Sequence, residues 1–178
     1  MRSTLTLIPF VSFAGCAPKE APPSPPDPRD AAAAMDNRAP LPLTPMMATH
    51  QKEMMRDHLV AVGEITAALS TDDWAAIESA AGRLGSSPQT SMMCQHMGAG
   101  APGFTERGLA FHTTSDGIGE AARAKDRGGV VKATATTVAS CTACHARFRQ
   151  DIVSDAAYAA ATGSAQPKHS AMPIAVEP

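Results

Sequence analysis

The residues with the clearest chemistry are Cys141-Thr142-Ala143-Cys144-His145. C-x-x-C-H is the attachment signature of a c-type haem. On a helix, Cys141 and Cys144 lie one turn apart and face the same way, so two thiols can meet the two vinyl groups of one porphyrin edge. The imidazole of His145 then serves as the proximal iron ligand. A thioredoxin-like redox pair is the alternative, but it needs a βαβ pattern that the surrounding sequence lacks. We therefore expect one covalent haem c.

The second axial position of the iron decides what such a haem does. A strong sixth ligand gives a low-spin electron carrier, whereas an open site allows nitric oxide or carbon monoxide to bind. The candidates are Met55, nearest the centre of an apolar helical stripe, then His58, one turn further on, and then Met54, at the edge of the stripe. The alternative is that the methionines fill the core and that the histidine is a hydrogen-bonded boundary residue.

Four helices are predicted to position these groups. Thr44-Pro45 starts the first, which runs to about Leu69, and Ser70 to Asp73 caps a second that stops at Gly85. The third spans Phe104 to Lys125, and the fourth runs from about Gly128 to between Gln150 and Tyr158. Residues 86–103 form a long connection with a short helical turn around 92–97. The fold class is therefore all-α, an antiparallel four-helix bundle with covalently bound haem on the last helix.

A seven-residue repeat runs along the last helix. Its members are Val131, Val138, His145 and Ile152, and Cys141 and Phe148 complete the same face. Apolar residues at this spacing share one side of a helix. The repeat therefore predicts that the haem motif lies on a core-facing seam.

With these parts, the chain resembles the class II c-type cytochromes, the cytochrome c-prime family. The resemblance covers about residues 45–155 and rests on the late Cys141–His145 motif followed by Ala146-Arg147-Phe148-Arg149. Met54-Met55-Arg56-Asp57-His58-Leu59 is similar to the distal-side helix of the family. The family contains both low-spin and open members, and many pair through their first two helices, which implies a homodimer as one partner. The long connection at 86–103 and Cys94 depart from the family pattern.

The two ends of the chain predict export and anchoring. Residues 1–15 have a short apolar run behind Arg2, typical of a signal peptide. Phe13-Ala14-Gly15-Cys16 resembles a lipobox, in which Cys16 carries lipid; an ordinary signal peptide cleaved elsewhere is the alternative. Residues 16–44 form a proline-rich tether, 45–160 the cytochrome domain and 161–178 a disordered tail. We expect the protein on the periplasmic side of a bacterial membrane, lipid-anchored.

A copper-binding module is the lesser alternative. Met92-Met93-Cys94-Gln95-His96-Met97 is dense in soft ligands, and Met46, His50, Met54 and His58 form a second stripe at spacings of four. Thiolates and thioethers suit copper(I), although methionine-rich segments also pack loosely against bundle edges. His112 and His169 have no local context and are predicted to be solvated.

Composition and missing motifs narrow the function. The net charge of -2 gives no electrostatic case for nucleic-acid binding. The sequence shows no paired carboxylates, phosphate-binding glycine loop or nucleophile triad, so an enzyme is not expected. The leading interpretation is an electron-transfer haem protein whose partner is a redox protein in the periplasm or membrane. A five-coordinate cytochrome that binds nitric oxide or carbon monoxide is the alternative.

Overall fold

The computed structural model describes residues 34–163, which are mostly helical with one small sheet. The predicted signal peptide, Cys16, most of the tether, His169 and the tail beyond residue 163 lie outside the described residues. The mainly helical prediction is confirmed, while the sheet is an addition. In chain order the elements are β1 (Ala39–Leu43), α1 (Pro45–Ser70), α2 (Trp74–Leu84), α3 (Pro88–Gly98), α4 (Phe104–Arg123), α5 (Arg127–Arg147), β2 (Phe148–Ile152) and α6 (Asp155–Thr162).

The boundaries of the first two helices follow from their caps. The Thr44 hydroxyl accepts a hydrogen bond from the Met47 amide, and proline occupies the first helical position of α1. The Asp73 carboxylate accepts from the Ala76 amide at 3.0 Å and starts α2, which ends at Gly85. Both predicted boundaries are confirmed. The first backbone N–H groups of a helix have no carbonyl partner within it, and the short polar side chains at these points accept their hydrogen bonds instead.

Helix α3 is longer than the predicted turn. It begins at Pro88, directly after Ser87. The Ser87 hydroxyl accepts a hydrogen bond from the Thr90 amide, and the Thr90 hydroxyl accepts one from the Ser87 amide. This reciprocal pair is a capping box, here with threonine at the third helical position instead of the usual glutamate or glutamine. Pro88 begins this helix and Gly98 ends it, while Gly100, Pro102 and Gly103 follow it.

The last long helix is shorter than predicted, because α5 ends at Arg147 and strand β2 follows. Strand β2 pairs in parallel with β1, from Ala39 opposite Phe148 to Leu43 opposite Ile152. Successive residues of a strand direct their N–H groups to opposite edges, so Pro40 and Pro42 can both face the open edge of β1. Proline at alternate positions is therefore compatible with this edge strand.

The proline-rich tether ends earlier than predicted. Residues 39–43 were expected in the tether, but Leu41 and Leu43 are fully buried. They pack with Phe148, the first residue of β2. The folded part therefore begins before α1, and it includes the strand that leads into that helix.

The core consists of two clusters of buried residues. The first lies among α1, α2, α4 and the start of α5, and it contains Ala61, Ile65, Ile77, Ala80, Ala81, Leu84, Ile118, Ala122 and Val130. The second core cluster joins the sheet to α1, α3 and α4, and it contains Leu41, Leu43, Ala48, Met97, Ala101, Phe104 and Phe148. Cys144 is packed against this second core cluster.

The long helices pack in a fixed order, α1 on α2, α2 on α4 and α4 on α5. Within residues 34–163, α1 and α5 form no such extended pair and are linked near their ends. At one end Arg127 of α5 donates to the Leu69 carbonyl at 2.6 Å, and just beyond the other end Gln150 of β2 donates to the Ala48 carbonyl at 3.4 Å. The two helices therefore run antiparallel, with an unpacked stretch between these links.

None of the helices in the described range is both long enough and apolar enough to cross a membrane.

Candidate haem site

Cys141 and His145 of the haem motif lie on a flank of α5, while Cys144 lies nearer its buried face, against the second core cluster. The opposite flank contacts α4, since Ser115 lies 3.5 Å from Thr137 and a side chain at Gly129 would meet Ala121. The buried residues of α5 are Val130 and Thr137. Val131 and Val138 each come one position after a buried residue, and His145 lies seven positions beyond Val138. One position along a helix is a rotation of about 100° around its axis.

The prediction that this seam faces the core is therefore wrong for its four heptad residues, whereas Phe148, assigned to the same face, is buried at the start of β2. Val131 is 52% exposed, Val138 is 41% exposed, and His145 and Ile152 are also exposed. A seven-residue repeat identifies residues on one side of a helix, but it does not say which neighbour that side meets. Here the seam on α5 turns away from α4, towards the side on which α1 lies.

A matching flank runs along α1. Its side towards α2 carries Asp57 and Glu64, which both form ion pairs with Arg83. Helical spacing places Met55 and Leu59 on the other side, and they are 39% and 73% exposed. Leu69 and Gln51, which provide links to α5 and β2, lie next to this side.

We call the gap between these two flanks the α1/α5 slot; helical spacing directs towards it Met55, Leu59, Val62, Val131, Val138, Cys141 and His145. The Arg127–Leu69 hydrogen bond sets the level of the two helices, and equal rise per residue from there brings Met55 to about the level of Cys141. A run of neighbouring exposed apolar side chains marks a binding site more often than exposed apolar residues scattered singly. The slot thus brings the motif and one candidate sixth ligand to facing positions.

The two motif cysteines are free thiols that are partly buried. The Cys141 thiol donates to the Thr137 carbonyl at 3.3 Å, and burial raises its pKa. Burial also raises the pKa of Cys144, with the Arg107 charge acting in the opposite direction and Cys141 adding to the rise. Both groups are therefore protonated at neutral pH, which slows disulfide exchange.

His145 is held through its backbone. Its carbonyl accepts a hydrogen bond from Nη1 of Arg38 at 3.1 Å, while the residue itself is exposed in the last turn of α5. Sequence reasoning missed Arg38, because it lies 107 positions away in a segment interpreted as tether. No local pattern marks such a long-range contact.

The three candidate sixth ligands point in different directions. Met55 lines the slot, whereas Met54 is partly buried against the second core cluster, as Cys144 is. The His58 ring stacks on Phe111 with centroids 5.1 Å apart. Burial lowers the pKa of His58, a nearby His112 lowers it further and Asp57 opposes the change.

The prediction that His112 is solvated is wrong, since this residue is only 4% exposed. Its Nδ1 lies 2.8 Å from the Leu84 carbonyl, and a carbonyl can only accept, so Nδ1 carries the proton. The ring lies edge-on to His58 at 5.8 Å. Helical spacing from Ser115 and Ile118, both buried, could have placed it on the inner face of α4.

The soft ligands of α3 do not converge. Cys94 is buried against α4, where a side chain at Gly108 would come within 2.8 Å of its sulfur. His96 is exposed and its ring lies 6.0 Å from that of Tyr158, while Met97 is buried in the second core cluster. Within residues 34–163, no three His, Cys, Asp or Glu side chains come together as a metal site.

The site thus combines the Cys141 thiol and the His145 imidazole on one flank of α5 with the Cys144 thiol beside them, next to the second core cluster. A planar, largely apolar cofactor with a central metal suits such a donor set. Comparison with protein-family models, curated proteins and solved structures gives no match for this chain.

Proposed function

We propose that this chain is an extracytoplasmic c-type cytochrome that binds one covalent haem c and transfers electrons. One observation carries the proposal: Cys141 and His145 lie on the flank of α5 turned towards α1, with Cys144 beside them next to the second core cluster. A chance motif on a helix surface would have no reason to face such a slot. Lipid attachment at Cys16 and a location on the periplasmic side of the membrane are part of the same proposal.

In this proposal, α1, α2, α4 and α5 form an antiparallel four-helix bundle, and the haem lies in the α1/α5 slot. The packing order of the four helices supports this architecture, because it leaves α1 and α5 without an extended packing contact. Bundle cores are a known place for cofactors held by side chains on facing helices. Residues on the α1 side would form the distal wall, and those on α5 the proximal wall.

The chain's own residues have distinct roles. Cys141 and Cys144 would each hold the haem by adding S–H across a vinyl group, with the sulfur bonded to one carbon and the hydrogen to its neighbour, so no oxidant is needed. His145 would supply an imidazole nitrogen to the iron. Val138 and Leu59 would exclude water from the cofactor faces. The haem itself supplies an iron that alternates between ferric and ferrous states.

The alternative function is binding of nitric oxide or carbon monoxide at a five-coordinate iron. Two of the candidate sixth ligands favour it, since the His58 ring stacks on Phe111 and Met54 packs against the second core cluster. If Met55 also leaves the iron free, a diatomic ligand can bind there. Electron transfer leads because Met55 lines the slot opposite Cys141.

The deciding experiment is the visible absorption spectrum of the exported protein, first oxidised and then reduced with dithionite. Sharp, split bands on reduction, with haem that stays attached after denaturation, are expected. A broad high-spin spectrum that shifts with carbon monoxide would favour the alternative. Matched variants complete the design: Cys141→Ser and Cys144→Ser should each lose a thioether, whereas Cys94→Ser should retain both. Protein that matures without haem would contradict the proposal.

A further inference from the structure

The segment that follows the haem motif is tied to the segment that precedes α1. Strand β2 begins at Phe148, three residues after His145, and pairs along its whole length with β1. The Val153 amide also donates to the Leu43 carbonyl at 2.9 Å. The polypeptide on either side of the slot is therefore joined by one short sheet.

Arg38 extends this link to the proximal ligand itself. It directly precedes β1, and its Nη1 donates to the His145 carbonyl at 3.1 Å. The last carbonyls of a helix have no helical N–H partner, and a cation is favourable at that end of the helix dipole. The guanidinium therefore restrains the backbone of the residue whose ring would hold the iron.

The other rim of the slot is held by the same sheet. Only Thr44 separates β1 from α1, and Gln150 in β2 donates to Gln51 of α1 at 2.6 Å. Leu41, Leu43 and Phe148 are buried beneath this contact. We call Arg38, β1 and β2 together the clasp, since they connect the end of α5 to the start of α1.

We propose that the clasp positions the haem, with Arg38 as a positioning residue for His145. The inference rests on the proposed function. Arg38 acts in two ways: its hydrogen bond restrains the last turn of α5, and its positive charge disfavours the ferric iron. Loss of the bond loosens the proximal ligand and widens the slot, whereas loss of the charge lowers the reduction potential.

The test uses the full-length, haem-loaded protein and two readouts. These are the reduction potential and the rate at which carbon monoxide binds the reduced protein. Arg38→Gln should lower the potential and speed carbon monoxide binding by about three- to tenfold, the range that one lost hydrogen bond corresponds to. Arg38→Lys keeps the charge, but its shorter side chain ends before the position of Nη1, so it should speed binding with little change in potential.

Arg147→Gln is the matched control. Arg147 is exposed at the same end of α5 and lies over the Phe148 ring, 5.6 Å from its centre. Its replacement removes an equal charge but leaves the bond to His145. If Arg38→Gln and Arg147→Gln behave alike in both readouts, the positioning role is overturned.

Two further outcomes distinguish failure of the clasp from failure of the proposed haem function. A wild-type protein without haem would remove the proposed function, whereas a haem-loaded wild type that is insensitive to Arg38 would remove the clasp inference alone. If Arg38→Gln fails to mature, Arg38→Lys decides. Unchanged carbon monoxide binding in that variant overturns the inference.

Discussion

Gln150 and Gln51 are joined by a side-chain hydrogen bond of 2.6 Å that links β2 to α1 across 99 positions of sequence. Gln51 is 6% exposed, so this is a polar contact inside the fold. The same nitrogen of Gln150 also reaches the Ala48 carbonyl at 3.4 Å. The end of the slot nearest the haem motif is thus closed by a partly buried amide pair.

Replacement of Gln150 by Ala should destabilise the protein. It leaves the buried Gln51 oxygen without its donor, and an unsatisfied buried polar group costs about 1–3 kcal/mol. Urea denaturation measures the loss as a lower free energy of unfolding. Gln95→Ala, at an exposed position of α3, is the control and should change little. Equal stability of the two variants would show that the amide pair does not stabilise the fold.

His58 should make stability depend on pH. Burial lowers its pKa below the ordinary value of 6.5, so the unfolded chain takes up a proton before the folded chain does. The stability that the neutral His58 ring contributes is complete above pH 6.5 and is lost as the pH falls towards the pKa of His58 in the folded protein. His58→Gln should therefore show a smaller fall in unfolding free energy between about pH 7.5 and about pH 5.

The control for this pH dependence is His50→Gln, an exposed position on the same helix. Urea denaturation at each pH gives the unfolding free energies of the three proteins. A fall in His58→Gln as steep as in the wild type would assign the pH dependence to another group.

Two helical glycines should respond in opposite ways to alanine. A side chain at Gly63 meets nothing within 4 Å, so Gly63→Ala should stabilise the protein by about 0.5–1 kcal/mol. A side chain at Gly108 would lie 2.8 Å from the Cys94 sulfur, so Gly108→Ala should destabilise by about 1–3 kcal/mol through overpacking. Urea denaturation measures both changes.

The cause of the Gly108 effect can be isolated with a second substitution. Cys94→Ala removes the sulfur that the new methyl group would meet. The double variant should therefore recover part of the stability that Gly108→Ala loses. If the two substitutions simply add, the close approach of α3 and α4 is not the reason.

The sixth ligand can be assigned with three single variants of the haem-loaded protein. Met55→Leu should lose the sharp low-spin bands of the reduced protein, because Met55 is the candidate that lines the slot opposite Cys141. Met54→Leu should keep them, since Met54 packs against the second core cluster. Loss of the bands in His58→Gln instead would make the histidine the ligand, and an unaltered spectrum in all three would exclude all three side chains.

Local sequence signals predicted much of the helical structure. Thr44 and Asp73 cap helices where expected, and Phe104 and Ile118 are buried on one face of α4. These features depend on neighbours three or four positions away, which a sequence pattern records directly. The face of α5 was misassigned because a repeat gives a side of the helix but not its surroundings, and Val131 is exposed.

The elements that escaped prediction depend on distant partners. Residues 148–152 look helical in isolation, and they form a strand because residues 39–43 lie beside them. Arg38 and Gln150 likewise gain their roles only through contacts about a hundred positions away. The motif Cys141–His145 was evident from spacing alone, whereas the residues that position it were not.

The prolines of β1 have a consequence for biosynthesis. Strand β1 is made before its partner β2, and at about 5–20 residues per second the interval lasts on the order of 5–20 seconds. During that time an unpaired strand is a template for pairing with other chains. Pro40 and Pro42 remove the N–H donors from one edge, so β1 can recruit a neighbour along the other edge alone. Until β2 is made, the two prolines therefore limit the pairing of β1 with strands of other chains.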